Sequence, residues 1–162
     1  MKRYLLIVLL SVLGLGAVQA QLRTIGLSVG YEVDISWQYT IGEYGMMDVS
    51  ANIPRFSGVG GTVTYNRMNP FDLEIPWYQY GTWNWYLGGG LGLGSYGLFK
   101  KDVENSWFFG LVVHAGIEYC FEFPMQLSLD YRPNLGFISK GSYEFNEDGY
   151  YGLTIGIRYL LD

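Results

Sequence analysis

The chain has 162 residues, 49% hydrophobic, 18% aromatic and only 15% charged, with 23 glycines and a formal net charge of −5. After residue 20 no apolar run approaches the ~18 residues of a membrane-spanning helix. The acidic balance argues against nucleic acid as a partner. One domain is expected at this length, built from strands rather than helices.

The first twenty residues stand apart. Lys2 and Arg3 give a positive start, Tyr4 to Val12 is an almost wholly apolar core, and Val18-Gln19-Ala20 has the small-x-small form of a cleavage site. This pattern predicts a secretory signal peptide over residues 1–20, and the apolar core is short for an uncleaved anchor. Cleavage after Ala20 removes Lys2 and Arg3, leaving 8 of the 10 basic residues against 15 acidic ones. Residues 21–162 then form the folded domain.

From Arg23 the apolar residues recur with period 2, the signature of extended strands with two unlike faces. Strand one, near Arg23 to Glu32, sets Ile25, Leu27, Val29 and Tyr31 against Gly26, Ser28, Gly30 and Glu32. A tight turn is expected at Glu32-Val33-Asp34, then Ile35, Trp37 and Tyr39 in strand two and a turn over Ile41–Gly45. Strand three carries Met47, Val49, Ala51 and Ile53, and Pro54 ends it because proline gives no ladder donor. Strand four sets Val59, Val63 and Tyr65 against Gly60, Thr62, Thr64 and Asn66. Asn69 to Gly81 does not alternate and reads as a connecting segment. Strand five places Trp83, Trp85, Leu87, Leu91 and Leu93 opposite Asn84, Tyr86 and a run of glycines.

A charged loop around Lys100–Asn105 precedes the clearest alternation, Phe108 to Pro133. There two strands flank a turn at Glu122-Phe123-Pro124, an antiparallel hairpin whose arms, at about 9–11 residues, are long enough to cross a bilayer at a tilt. Asn134 to Gly149 reads as a long loop. The eighth strand ends the chain with Tyr151, Leu153, Ile155, Ile157, Tyr159 and Leu161 on one face. Eight strands joined in sequence predict an all-β, antiparallel up-and-down transmembrane β-barrel, a closure that removes every open edge. The non-apolar face is mostly Gly, Ser, Thr and Asn. Those residues suit the cramped inside of a small barrel, and the Leu, Val, Ile, Trp and Tyr face suits lipid.

GIEYCFEFPMQLSLDYRP (residues 116–133) and the closing GLTIGIRYLLD (residues 152–162) resemble the small outer-membrane β-barrel proteins of Gram-negative bacteria, the OmpA/OmpX-like group, over essentially residues 22–162. The resemblance implies residence in the outer membrane, in contact with its lipid and lipopolysaccharide. It also implies delivery by the barrel assembly machinery, which reads a C-terminal pattern like Ile155-x-Ile157-x-Tyr159-x-Leu161. Such signals usually end on an aromatic, whereas this chain ends Leu161-Asp162. It further implies a periplasmic N-terminus, with Glu32–Asp34, Pro54–Ser57, Tyr96–Asn105 and Asn134–Gly149 facing outward. The loops would then be free to meet a surface protein or a host ligand.

Three function classes follow: a non-enzymatic structural or surface-interaction barrel, an outer-membrane lipid-modifying enzyme, and a small pore. Eight strands leave little more than packed side chains inside, which disfavours the pore. An enzyme needs a base and a nucleophile within reach; the one histidine, His114, sits mid-strand on the inward face, with Ser128 and Asp130 on the facing strand. A hydrogen-bonded interior histidine is the stronger reading. Glu118, Asp130, Arg132 and Arg158 fall on the same inward face. Their opposite signs are expected to pair, the two arginines neutralising the two carboxylates and plugging the lumen. No cofactor is expected. Gly88-Gly89-Gly90-x-Gly92-x-Gly94 lacks the Lys-Ser/Thr of a phosphate loop, one Cys and one His build no zinc site, and Cys120 is a bystander thiol.

Overall fold

The computed structural model describes residues 20–54, 58–71, 81–97, 106–139, 143–145 and 151–161. Most of the expected signal peptide, the loops around residues 55–57 and 98–105, and the connecting segment over residues 72–80 lie outside them. Among the described residues there are ten β-strands and no helix. They are β1 (Ala20–Gly30), β2 (Glu32–Ile41), β3 (Gly45–Pro54), β4 (Gly58–Pro70), β5 (Gly81–Tyr96), β6 (Ser106–Phe121), β7 (Met125–Tyr131), β8 (Asn134–Ser139), β9 (Tyr143–Phe145) and β10 (Leu153–Leu160).

β1 to β6 pair antiparallel, each with the next. β7 and β8 then lie along successive stretches of the same side of β6, opposite Ala115–Cys120 and Trp107–Val112. They act as one barrel strand interrupted at Arg132-Pro133, where proline lacks the ladder donor. Hydrogen bonding nearly continues across the break: Val113 N donates to Pro133 O at 3.1 Å and Arg132 N to Gly152 O at 2.8 Å. β9 pairs with β8 and β10 with β7, and β10 closes onto β1 from Thr24↔Leu160 to Gly30↔Thr154. The result is a closed antiparallel barrel of eight strands.

Three loop expectations are corrected. Asn69 and Pro70 extend β4, paired with Trp85 and Asn84, and Gly81 opens β5, so both ends of the expected Asn69–Gly81 connection are strand. The reversal after β1 is at Tyr31, with Val29 paired to Val33, so Glu32 and Asp34 belong to β2 rather than to a turn. Asn134–Gly149 is not one loop: its first part is β8, and β9 follows. The alternation there was obscured because Ile138, an apolar residue, faces inward while Phe137 faces out. The turn after β2 is Gly42-Glu43-Tyr44, and Gly42 at φ 66 takes the left-handed conformation that glycine adopts without a Cβ penalty.

The barrel is polar within and apolar without. Leu129 is 41% exposed and its neighbour Ser128 3%; Ile157 is 55% exposed and Arg158 0%. The outward band runs through Leu27, Ile35, Val63, Leu91, Leu129 and Ile155. Aromatic rings gather at its ends. Trp83, Tyr119, Phe121 and Phe123 follow one another with ring centroids 4.8–4.9 Å apart beside the Pro124 turn, and Tyr31 meets Tyr151 at 5.9 Å at the opposite rim.

The glycines of β5 stand opposite the bulkiest inward residues of β6: Gly88 faces His114, Gly90 faces Val112 and Gly94 faces Phe108. A narrow lumen accepts large side chains from one strand only where the next contributes none. The same exchange runs the other way at Gly116, where an added Cβ would lie 2.5 Å from the Tyr86 ring. Gly116→Ala is therefore expected to cost about 1–3 kcal/mol through overpacking. Gly61→Ala, where the nearest atom is the Ser50 carbonyl oxygen at 3.3 Å, should change stability far less. Urea unfolding of both variants in detergent micelles checks the order.

Candidate functional site

The lumen holds the only concentration of ionisable groups among the described residues, and register places them. Asp130 on β7 faces Thr154 on β10 and Gly116 on β6. Its carboxylate accepts from Arg158 Nη2 at 3.2 Å, from Ser128 Oγ at 2.7 Å and from the Tyr86 hydroxyl. Arg158 also donates to Ser128 Oγ, and through Nε to Ser36 Oγ at 3.3 Å. Gly26, the β1 partner of Arg158, leaves the space its aliphatic stem occupies.

His114 lies between Thr64 Oγ1, 3.0 Å from Nδ1, and Asp130 Oδ1, 3.2 Å from Nε2. Asn66 Nδ2 donates to Thr64 Oγ1 at 3.1 Å. One assignment of protons satisfies the whole chain: Thr64 donates to Nδ1, and Nε2–H donates to Asp130, giving a neutral imidazole. Arg132 Nη2 stands 3.4 Å from Nε2.

Arg132, just beyond β7, donates to Ser50 Oγ at 3.0 Å and stands 3.6 Å from Asp48 and 4.0 Å from Asp34. Nearer the Pro124 turn, Arg23 forms a two-pronged contact with Glu118, Nη2 to Oε1 at 2.5 Å and Nη1 to Oε2 at 3.3 Å. Gln126 and Asn84 donate to the same carboxylate at 2.6 and 3.1 Å. Gln38 links the two groups: its Oε1 accepts from Thr24 at 2.8 Å and Arg23 at 3.5 Å, and its Nε2 donates to Asp48 at 3.2 Å. Cys120 is a half-buried free thiol near Glu118 and Arg23.

All five predicted residues, Glu118, Asp130, Arg132, Arg158 and His114, face the lumen, but their pairing differs from the expectation. Arg158 takes Asp130, whereas Glu118 is held by Arg23. Arg132 faces Asp34, which the sequence placed in a turn, and Asp48, which it placed on the polar face of strand three without a partner. Arg23 was missed because it opens the first strand where alternation is weakest. Tyr86 was placed inward but given no role. The one available signal was position: Asp34, Asp48 and Tyr86 each lie an even number of places from an inward residue on their strand, whereas Arg23 breaks that parity at an irregularity of β1 between Leu22 and Thr24.

Chemically, Thr64, His114 and Asp130 have the connectivity of a nucleophile, base and orienting acid. Yet all three are buried, and Ser128 bonds to Asp130 and Arg158 rather than to His114. No three of His, Cys, Asp and Glu gather at metal-ligating spacing among the described residues. The larger concavities lie outside the lumen. One of about 530 Å³ is a dent in the outer wall where Ala115 falls between Leu87 and Tyr131 in a cross-strand row. No family model, curated protein or solved structure matches the chain.

The pairing makes a testable distinction. Arg158→Ala should cost about 3–5 kcal/mol by leaving the Asp130 carboxylate uncompensated. In a double-mutant cycle the Arg158→Ala/Asp130→Ala pair should show coupling of about 1–3 kcal/mol. Arg158→Ala with Glu118→Ala should be close to additive. Equilibrium unfolding of the single and double variants of both cycles reads both values.

Proposed function

We propose that the chain is an integral outer-membrane β-barrel of the OmpA/OmpX-like kind, non-enzymatic, whose role is structural or lies in surface interactions made by its outward loops. The observation that carries this reading is the inverted barrel: Leu, Ile, Val and aromatic side chains outside, hydrogen-bonded polar and charged ones inside. In water that arrangement would expose a continuous apolar band far larger than soluble monomers tolerate. In a bilayer it is the arrangement that closed sheets adopt. The aromatic rings at both ends of the band suit its two interfaces with water. Lipid and lipopolysaccharide are the partners of the outer wall, and the barrel assembly machinery is the partner of the last strand.

A pore is disfavoured by the crossing of the lumen by Arg132, Arg158 and their partners. The buried His114 gives no support to a lipid-modifying activity, and lipid A should have the same mass spectrum with and without the protein. A change of one acyl chain would replace this reading by the enzymatic one.

Two measurements test the location. Fractionation and N-terminal sequencing should find a mature chain beginning at Gln21 in the outer membrane; a freely soluble mature protein would refute the reading. Leu129→Arg should destabilise folding into lipid vesicles by about 2–4 kcal/mol if the residue lies near the midplane. Thr154→Ala, inward and with no hydrogen bond to lose, should cost far less. Equal costs would mean that lipid does not cover the Leu129 face.

A further inference from the structure

The dent in the outer wall is a groove with a direction. Register sets Trp85, Ile117 and Leu129 in one cross-strand row. Leu87, Ala115, Tyr131 and Leu153 form the next row, farther from the Pro124 turn. Ala115 is the small member of these rows. Its outward neighbours along β6, Val113 and Ile117, are both larger, so Ala115 opens the gap. Phe71 lines the end nearer the Pro124 turn, and its backbone N–H donates to Trp83 O at 2.9 Å. Trp83 belongs to the aromatic group beside that turn. Leu153 lines the other end.

The groove climbs the wall. Ser28 faces Gly156 directly, yet the register row that leaves Ser28 through β2 to β6 and β8 reaches Glu144 on β9, 156 − 144 = 12 positions farther from the Pro124 turn. Rows therefore rise in the direction from β4 towards β10. The groove crosses in that direction, from the end of β4 through β5, β6 and β7 to β10, and steps up two rows on the way. Four strand spacings of about 4.8 Å at a tilt of about 40°, with two rows of about 7 Å, give a climb of roughly 20 Å. That carries the groove from the aromatic group beside the Pro124 turn well into the apolar band.

Shape and chemistry limit the occupant. The lining is carbon almost throughout, so it offers no set of hydrogen-bonding groups to a polar ligand. A helix with its side chains is about 10–12 Å across, too wide for a gap one side chain broad. A second barrel would bring a convex wall to a recess. A slender hydrocarbon chain meets none of these objections. In a bilayer no hydrophobic term favours one apolar surface over another, so a preferred position comes from packing. A chain in the groove meets carbon on its floor and both flanks, whereas a chain on the convex wall meets it on one side. We infer that the groove seats one acyl chain of a phospholipid from the leaflet at the Pro124 end, which is the periplasmic leaflet on the membrane reading this inference rests on. The chain enters between Phe71 and Trp85 and runs past Ala115 to Leu153.

Native mass spectrometry of the full barrel, released from non-ionic detergent micelles doped with phosphatidylethanolamine, tests the site. The unmodified protein should retain one phospholipid per chain after the detergent is stripped. Ala115→Phe fills the gap with a side chain that β6 already carries outward at Phe109 and Phe121. It should lower the retained fraction roughly fivefold or more, the worth of about ten lost carbon contacts. Should that variant not fold, Ala115→Leu takes its place and should lower the fraction by a smaller but measurable factor. Ala51→Phe, at an exposed position on β3 away from the groove, should retain lipid like the unmodified protein. A folded barrel that retains no lipid, equal retention by the folded Ala115 variant, or loss of lipid in Ala51→Phe would each overturn the inference. A dimer abolished by Ala115→Phe would overturn it in favour of a second copy of the chain. A barrel that resides in the outer membrane yet holds no lipid here refutes the groove alone, whereas a soluble mature chain refutes the membrane reading.

Discussion

The Asp130 carboxylate ties the barrel together from the inside. It sits on β7 and receives hydrogen bonds from β5 through Tyr86, from β6 through His114, from β10 through Arg158, and from Ser128 on its own strand. A closed sheet has only backbone bonds to hold neighbouring strands, and those bonds leave relative sliding open. Side chains that cross the lumen remove that freedom, because a one-step slip would take Asp130 off its donors and leave a buried charge unpaired. Arg132 extends the tie to the far wall, reaching Ser50 and Asp48 on β3. Fixing the register and filling the lumen are accomplished by the same atoms.

The wall itself was largely legible in the sequence. Period-2 alternation in Phe108–Pro133 and Leu153–Leu161 needs no knowledge of partners, because it reports only that one face differs from the other. The choice of faces also followed from residue type, Gly, Ser and Thr inward and Leu, Val and Trp outward. Alternation fails where both faces are apolar. Phe137 and Ile138 are adjacent and point opposite ways, and β8 accordingly read as loop. It fails also where polar residues meet a turn, and Glu32 and Asp34 were assigned to a reversal that the chain makes at Tyr31.

Pairing inside the lumen was not legible, for a geometric reason. Strands tilt in a barrel, so side chains from non-adjacent strands meet across the axis at heights set by the stagger between strands. Arg23 and Glu118 are 95 residues apart and on strands that do not pair, and no local pattern joins them. The sequence identifies which charges face inward; only the stagger says that Glu118 meets Arg23 and Asp130 meets Arg158. Tyr86 shows the same limit. Its inward position is evident from Trp85 and Leu87 on either side, but its contact with Asp130 depends on Gly116 being absent as a side chain on the strand between.

The two halves of the lumen differ in how completely they are satisfied. Towards the Pro124 turn, Glu118 has a two-pronged arginine and two amide donors, and Gln38 passes the network on to Asp48. Towards Tyr31, three carboxylates share one guanidinium whose hydrogen bonds go to other groups. A small barrel whose sole requirement was a plugged interior would be served by pairing charges evenly, or by the Phe108, Val112 and Met46 type of filling it also contains. Buried ion pairs add little net stability over well-packed apolar residues of similar volume. The uneven distribution of charge is therefore not accounted for by packing stability alone.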